Sequence, residues 1–176
     1  MVLRKINAGV SLLATVMILD HAIFNGVWML SRGSIVKTAN LMSWVLFGVM
    51  LLHAIISIDL AISAHSNPDA RKGRSYPKLN IPTIVQRASG VLLILFAVLH
   101  VAGTAGFLQP PPLVHAILPP LFFALSLVHV AVSFSKAFIT LGIGNAAFVK
   151  VADVVMKVIC AAALILDVVG FYLHLV

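Results

Sequence analysis

Long apolar stretches separated by short polar ones set the plan of this chain. Five stretches, residues 6–30, 39–64, 82–108, 112–137 and 148–175, are each near or beyond the ~20 residues an α-helix needs to cross the hydrocarbon core of a bilayer. In lipid every backbone N–H and C=O must be satisfied within the protein, and a segment of that length meets this as a helix. The pattern predicts an all-α integral membrane bundle of five transmembrane helices. The polar positions between them are few. Residues 31–38 and 109–111 form tight connections on one side, and residues 63–80 are the longest polar stretch.

The basic residues orient this plan. With the N-terminus inside, Arg4, Lys5, Arg71, Lys72, Arg74, Lys78, Arg87, Lys136, Lys150 and Lys157 fall on or near the cytoplasmic side, and only Arg32 and Lys37 fall outside. Cytoplasmic loops carry such an excess, so the N-terminus is expected in the cytoplasm and the C-terminus outside. The start, Met1-Val2-Leu3-Arg4-Lys5 before an apolar run, has the look of a signal peptide. The run is too long, contains Asp20, His21 and Asn25, and lacks a small-residue cleavage site, so it reads as a retained first span. Trp28 and Trp44 fall near the outer interface, where aromatic belts form. Pro119-Pro120 is expected to kink the fourth span.

Composition narrows the function classes. Of 176 residues, 61% are hydrophobic and 10% charged, which leaves no room for a separate soluble catalytic domain, so residues 1–176 read as one transmembrane domain. The net charge of +7 has a topological explanation in the loops, and nucleic acid is excluded as a partner. The single cysteine, Cys160, cannot build a disulfide, an iron–sulfur cluster or a thiolate zinc site alone and reads as a small core residue.

The candidate chemistry lies in four histidines, one in each of the first four spans: His21, His53, His100 and His129. Imidazoles are costly in hydrocarbon, so their regular placement asks for a function. At ~1.5 Å of rise per residue, His21 and His100, about 15 and 18 residues into outward-running spans, fall in the outer half. His53 and His129, about 14 and 17 residues into inward-running spans, fall in the inner half. Depth thus pairs His21 with His100 and His53 with His129. A helix bundle holds cofactors between facing helices, and two imidazoles on opposite sides are the axial ligands of a haem iron. Two stacked b-type haems are expected, with the first pair on the outer haem iron and the second on the inner. His65, His115 and His174 sit near span ends and read as interfacial.

The third span opens Thr83-Ile84-Val85-Gln86-Arg87-Ala88-Ser89-Gly90, with His100 ten residues after Gly90. This resembles the Arg-x-Ser/Thr-Gly signature that opens a haem-binding helix in the cytochrome b anchors of succinate dehydrogenase and fumarate reductase. The whole chain is similar to the single-subunit, five-helix, dihaem form of that anchor. The resemblance implies haem ligation by one histidine on each of the first four helices, first with third and second with fourth. It also implies a flavoprotein and an iron–sulfur partner on the cytoplasmic face and a membrane quinone as redox partner, with menaquinone favoured by the two-haem type. The place would be the inner (plasma) membrane, and the dicarboxylate chemistry would belong to the partners. The chain departs from the family in having no glutamate at all, so the membrane glutamates some members use near the quinol or on a proton path have no counterpart.

Around the ligands, Arg87 is a candidate for a haem propionate, a quinone oxygen or the iron–sulfur subunit, or is a snorkelling anchor. Gly90 is a candidate for close approach of a helix or macrocycle. Arg32 is a candidate for the outer propionates, since arginine matches carboxylates bidentately. Asp20 points about 100° away from His21 around the helix. Asp167, toward the outer end of the last span, is a candidate proton acceptor, and Asp59 a candidate partner for a basic residue. Two other functions compete: a cytochrome b subunit of another membrane oxidoreductase, such as a hydrogenase or formate dehydrogenase, and a haem-free small transporter or anchor.

Overall fold

A computed structural model of the chain describes residues 2–31, 40–66, 81–109 and 111–175. It contains five helices, α1 Val2–Leu30, α2 Asn40–Ser66, α3 Ile81–Thr104, α4 Pro112–Leu141 and α5 Ala146–Leu175. All five are long and apolar enough to cross a membrane, and the described residues contain no strand.

The helix ends follow from local chemistry. The fourth helix runs past the expected end at residue 137 and stops at Gly142, whose φ of 74° is the left-handed conformation that glycine adopts without a Cβ clash. There Ile143 N–H donates to the Phe138 carbonyl and Gly142 N–H to that of Ile139, which satisfies two of the carbonyls a helix end leaves open. Gly106 does the same for α3 (φ 79°), with Phe107 N–H donating to Ala102. The third span is therefore shorter than its apolar run: Phe107 and Leu108 belong to the connection. Helix α4 runs through Pro119 and Pro120 as one element.

Helices α1 to α4 form a ring in chain order, and α5 lies outside it against α1 and α4. Polar ties fix which ends meet. Asn7 near the start of α1 donates to Ser57 Oγ late in α2 (3.1 Å), and Lys136 late in α4 donates to Gln86 Oε1 early in α3. We call this end the N-side. At the opposite, C-side end, α1 and α5 meet glycine to glycine. A Cβ on Gly170 would stand 2.8 Å from the Gly26 carbonyl oxygen, and one on Gly26 2.9 Å from Leu166 Cγ. Lipid is as apolar as leucine, so such close packing, rather than expulsion from water, holds membrane helices together.

The main core joins Ile18 and Ala22 of α1, Leu127 and Val130 of α4, and Met156, Cys160 and Ala163 of α5. Cys160 is thus a core residue, as its sequence context suggested. The ring is packed unevenly. Helices α1 and α2, α1 and α4, and α3 and α4 pack along one another, whereas α2 and α3 meet only briefly. Across the ring, the described backbones of α1 and α3 stay apart, as do those of α2 and α4, and side chains such as Leu46 of α2 reach across to the core. The middle of the ring is open.

Candidate functional site: two histidine-paired cavities

Two cavities occupy that open centre, one above the other. The N-side cavity has a volume of about 660 Å³ and is lined by His53 of α2 and His129 of α4. The C-side cavity has a volume of about 460 Å³ and is lined by His21 of α1 and His100 of α3. Both volumes lie in the ~300–1,000 Å³ range of small-molecule and cofactor sites. The two histidines expected to share a depth line the same cavity, each pair coming from two helices on opposite sides of the ring. Ile18, Phe47, Met50, Ala97 and Ser126 line both cavities and form the wall between them. Ser126 is buried and returns its hydroxyl proton to the Phe122 carbonyl, which leaves its helix intact in an apolar layer.

The N-side pair is set by the sequence around Ser89. That buried hydroxyl donates its one proton to the Val85 carbonyl (2.6 Å) and lies 2.9 Å from His129 Nδ1. When the hydroxyl proton stays on the carbonyl, Nδ1 of His129 donates to Ser89 and Nε2 carries the lone pair, which is the tautomer a metal ligand requires. Gly90 makes room for this ring, since a Cβ there would stand 3.1 Å from His129 Cε1. The neighbour that Gly90 accommodates is thus the imidazole. Across the cavity, His53 Nδ1 is buried with no hydrogen-bond partner. Around the N-side end the lining turns polar, with Asn7, Ser11, Ser57, Gln86, Arg87 and Ser133.

The C-side pair sits among aromatic rings. His21 stacks on Phe123 (6.5 Å between centroids) and His100 on Phe122 (5.1 Å), so adjacent residues of α4 each carry one imidazole. Asn25 donates to the His21 backbone carbonyl. Trp28 and Trp44, expected in an aromatic belt, both line this cavity. So does Asp167, which is 4% exposed and has no hydrogen bond or ion pair among the described residues.

Of the other residues named from the sequence, Arg87 lines the N-side cavity with its side chain exposed. Arg32 lies outside the described residues, as do the side chains of His65, His115 and His174. Asp20 is exposed, away from His21, as the helical turn predicts. Sequence reasoning passed over Asn7, Ser57 and the Gln86–Lys136 pair, which bridge neighbouring helices at the N-side end. Their signal was available: amides and hydroxyls inside apolar spans seek interhelical partners. It also passed over Asp153, which pairs with Lys157 one turn on along α5.

Among the described residues no three His, Cys, Asp or Glu side chains gather into a metal-binding group. No protein-family model, curated protein or solved structure matches the chain.

Proposed function

We propose that this protein is the dihaem cytochrome b membrane anchor of a succinate:quinone oxidoreductase, a succinate dehydrogenase or fumarate reductase. In this reading it passes electrons between membrane quinone and a cytoplasmic iron–sulfur subunit. The observation that carries it is the segregation of four membrane histidines into two cavities, one cross-ring pair in each. Two imidazoles suffice for a haem because the macrocycle supplies the other ligand atoms.

The residues present suit that group. Ser89 Oγ lies 2.9 Å from His129 Nδ1, which suits the Nδ1–H tautomer with Nε2 toward the metal. His53 of α2 lines the same cavity as His129. Gly90 keeps the ring of His129 unobstructed. His53 and His129 would hold the N-side haem and His21 and His100 the C-side haem. When bound, haem supplies one-electron redox chemistry that no side chain here offers. The chain's own part is ligation, orientation and charge. Arg87 faces the N-side cavity with a cation suited to carboxylate, and Asp167 presents to the C-side cavity a carboxyl free to exchange a proton with a bound hydroquinone. The excess of basic residues supports a cytoplasmic N-side in this reading, with the plasma membrane as the proposed location. Resemblance of the Arg87-Ala88-Ser89-Gly90 segment, together with the one-per-helix histidines, supports the flavoprotein and iron–sulfur partners and a menaquinone-type quinone.

The test is a reduced-minus-oxidised spectrum with haem quantitation on the chain purified in mild detergent with its native partners. Two b-type haems per chain are expected. His21→Ala or His100→Ala should remove one haem, and His53→Ala or His129→Ala the other. A folded, colourless preparation overturns the cytochrome reading. Haem without a co-purifying flavoprotein overturns the succinate:quinone assignment alone.

A further inference from the structure

Both cavities open in the same direction. Among their lining residues, those exposed on the outside of the bundle all belong to α2, to α3 or to the turn that follows α3. For the N-side cavity these are Leu51, Ile58 and Ala61 on α2, and Arg87, Val91 and Val98 on α3. For the C-side cavity they are Trp44 on α2, and Thr104 and Ala105 at the end of α3. No described lining residue of α1, α4 or α5 is exposed, so the bundle is closed on those sides. The opening follows the one weakly packed seam of the ring, α2 against α3. That seam closes at mid-height, where Phe47 and Met50 of α2 pack against the Leu93–Ala97–Phe122 cluster. The seam is thereby divided into two windows, one for each cavity. At the N-side end the Asn7–Ser57 and Lys136–Gln86 hydrogen bonds tie α1 to α2 and α4 to α3, and neither spans the α2–α3 seam.

We propose that the α2–α3 seam is a lateral portal through which haem is loaded into both cavities directly from the bilayer; this rests on the haem reading above. The rim chemistry fits the cargo. Leu51, Ile58, Val91 and Val98 present only hydrocarbon along the N-side window, matching a flat, largely apolar macrocycle dissolved among lipid tails. Arg87 stands at the polar end of the same window, both exposed and facing the cavity, where it meets the carboxylates of a cargo that is not wholly apolar. Val91, at 70% exposed, has no core role, so its size is free to set the width of the window. Trp44, exposed and lining the C-side cavity, is the bulky side chain at the C-side window.

The experiment follows the Soret band as apo-protein in lipid nanodiscs takes up haem pre-dissolved in the bilayer. The double variant Val91→Trp/Val98→Trp is expected to slow loading of the N-side site about tenfold, a change of ~1.4 kcal/mol in the barrier, with the C-side phase unchanged. Val158→Trp, on the lipid face of α5 away from both cavities, should load at the wild-type rate. Trp44→Ala is expected to speed the C-side phase, an effect of opposite sign that a damaged fold cannot imitate. Wild-type rates in both rim variants overturn the portal while leaving the haem reading intact, and equal slowing by Val158→Trp overturns it as well. Wild-type protein that takes up no haem at all sinks both together.

Discussion

Ser89 and His129 are forty positions apart and act as one unit. A serine inside an apolar helix usually returns its proton to the preceding turn, as Ser89 does to Val85, and the hydroxyl oxygen is then available only as an acceptor. His129 Nδ1 sits at that oxygen. Ser89→Ala removes that oxygen from beside the buried ring. Outer-shell partners of metal ligands typically matter ~10–100-fold in affinity, so on the proposed dihaem reading weaker haem retention of that order is expected at the N-side site only. Haem transfer to an excess of apo-acceptor, followed by absorbance, measures it, and equal loss from both sites would overturn the assignment. Ser89→Thr, which keeps the hydroxyl, should retain most of the affinity.

At the scale of the helix, small residues decide who packs with whom. Helices α1 and α5 approach through Gly26 and Gly170, where a Cβ on the latter would press on a backbone oxygen that cannot step aside. Gly170→Ala should therefore destabilise the bundle by ~1–3 kcal/mol, the usual range for overpacking. Gly48→Ala, at a position with nothing within 4 Å, should be neutral. Unfolding midpoints of the two variants in a mixed detergent titration make the comparison, and equal midpoints would argue against the α1–α5 contact. The element ends were partly legible from sequence. Glycine at 106 and 142 is a stop signal, yet an apolar run that continues past it, as Phe107-Leu108 does, carries the expected span too far. Hydropathy measures what lipid tolerates, whereas the helix stops where the backbone turns left-handed.

Over the whole molecule, the four histidine helices enclose two cofactor-sized spaces because their diagonals do not close. Phe47, Met50, Ala97, Ile18 and Ser126 keep the two spaces apart. The charge asymmetry belongs to this scale too. Alkaline phosphatase fused after residue 176 is expected to be active outside the cytoplasm, and a fluorescent protein fused there to be dark. The opposite result would invert the sidedness of both cavities and overturn docking of the partners at the N-side.

Length and apolar content alone determined that this chain forms five membrane-spanning helices, because a ~30 Å hydrocarbon layer accepts few other backbone solutions. The histidine pairing was also legible, since residues at similar depth on parallel-running helices end at one level whatever the packing around them. Tertiary structure decided the rest. These helices are apolar nearly all round, so no periodic stripe separates the face that meets lipid from the face that meets protein. The seat of α5 on α1 and α4, the tie of Ser89 to His129, the burial of Asp167 beside the C-side cavity and the open α2–α3 seam all depend on which faces meet. In a membrane that choice is made by the shape of small residues and a few polar contacts, and it appears only when the helices are placed together.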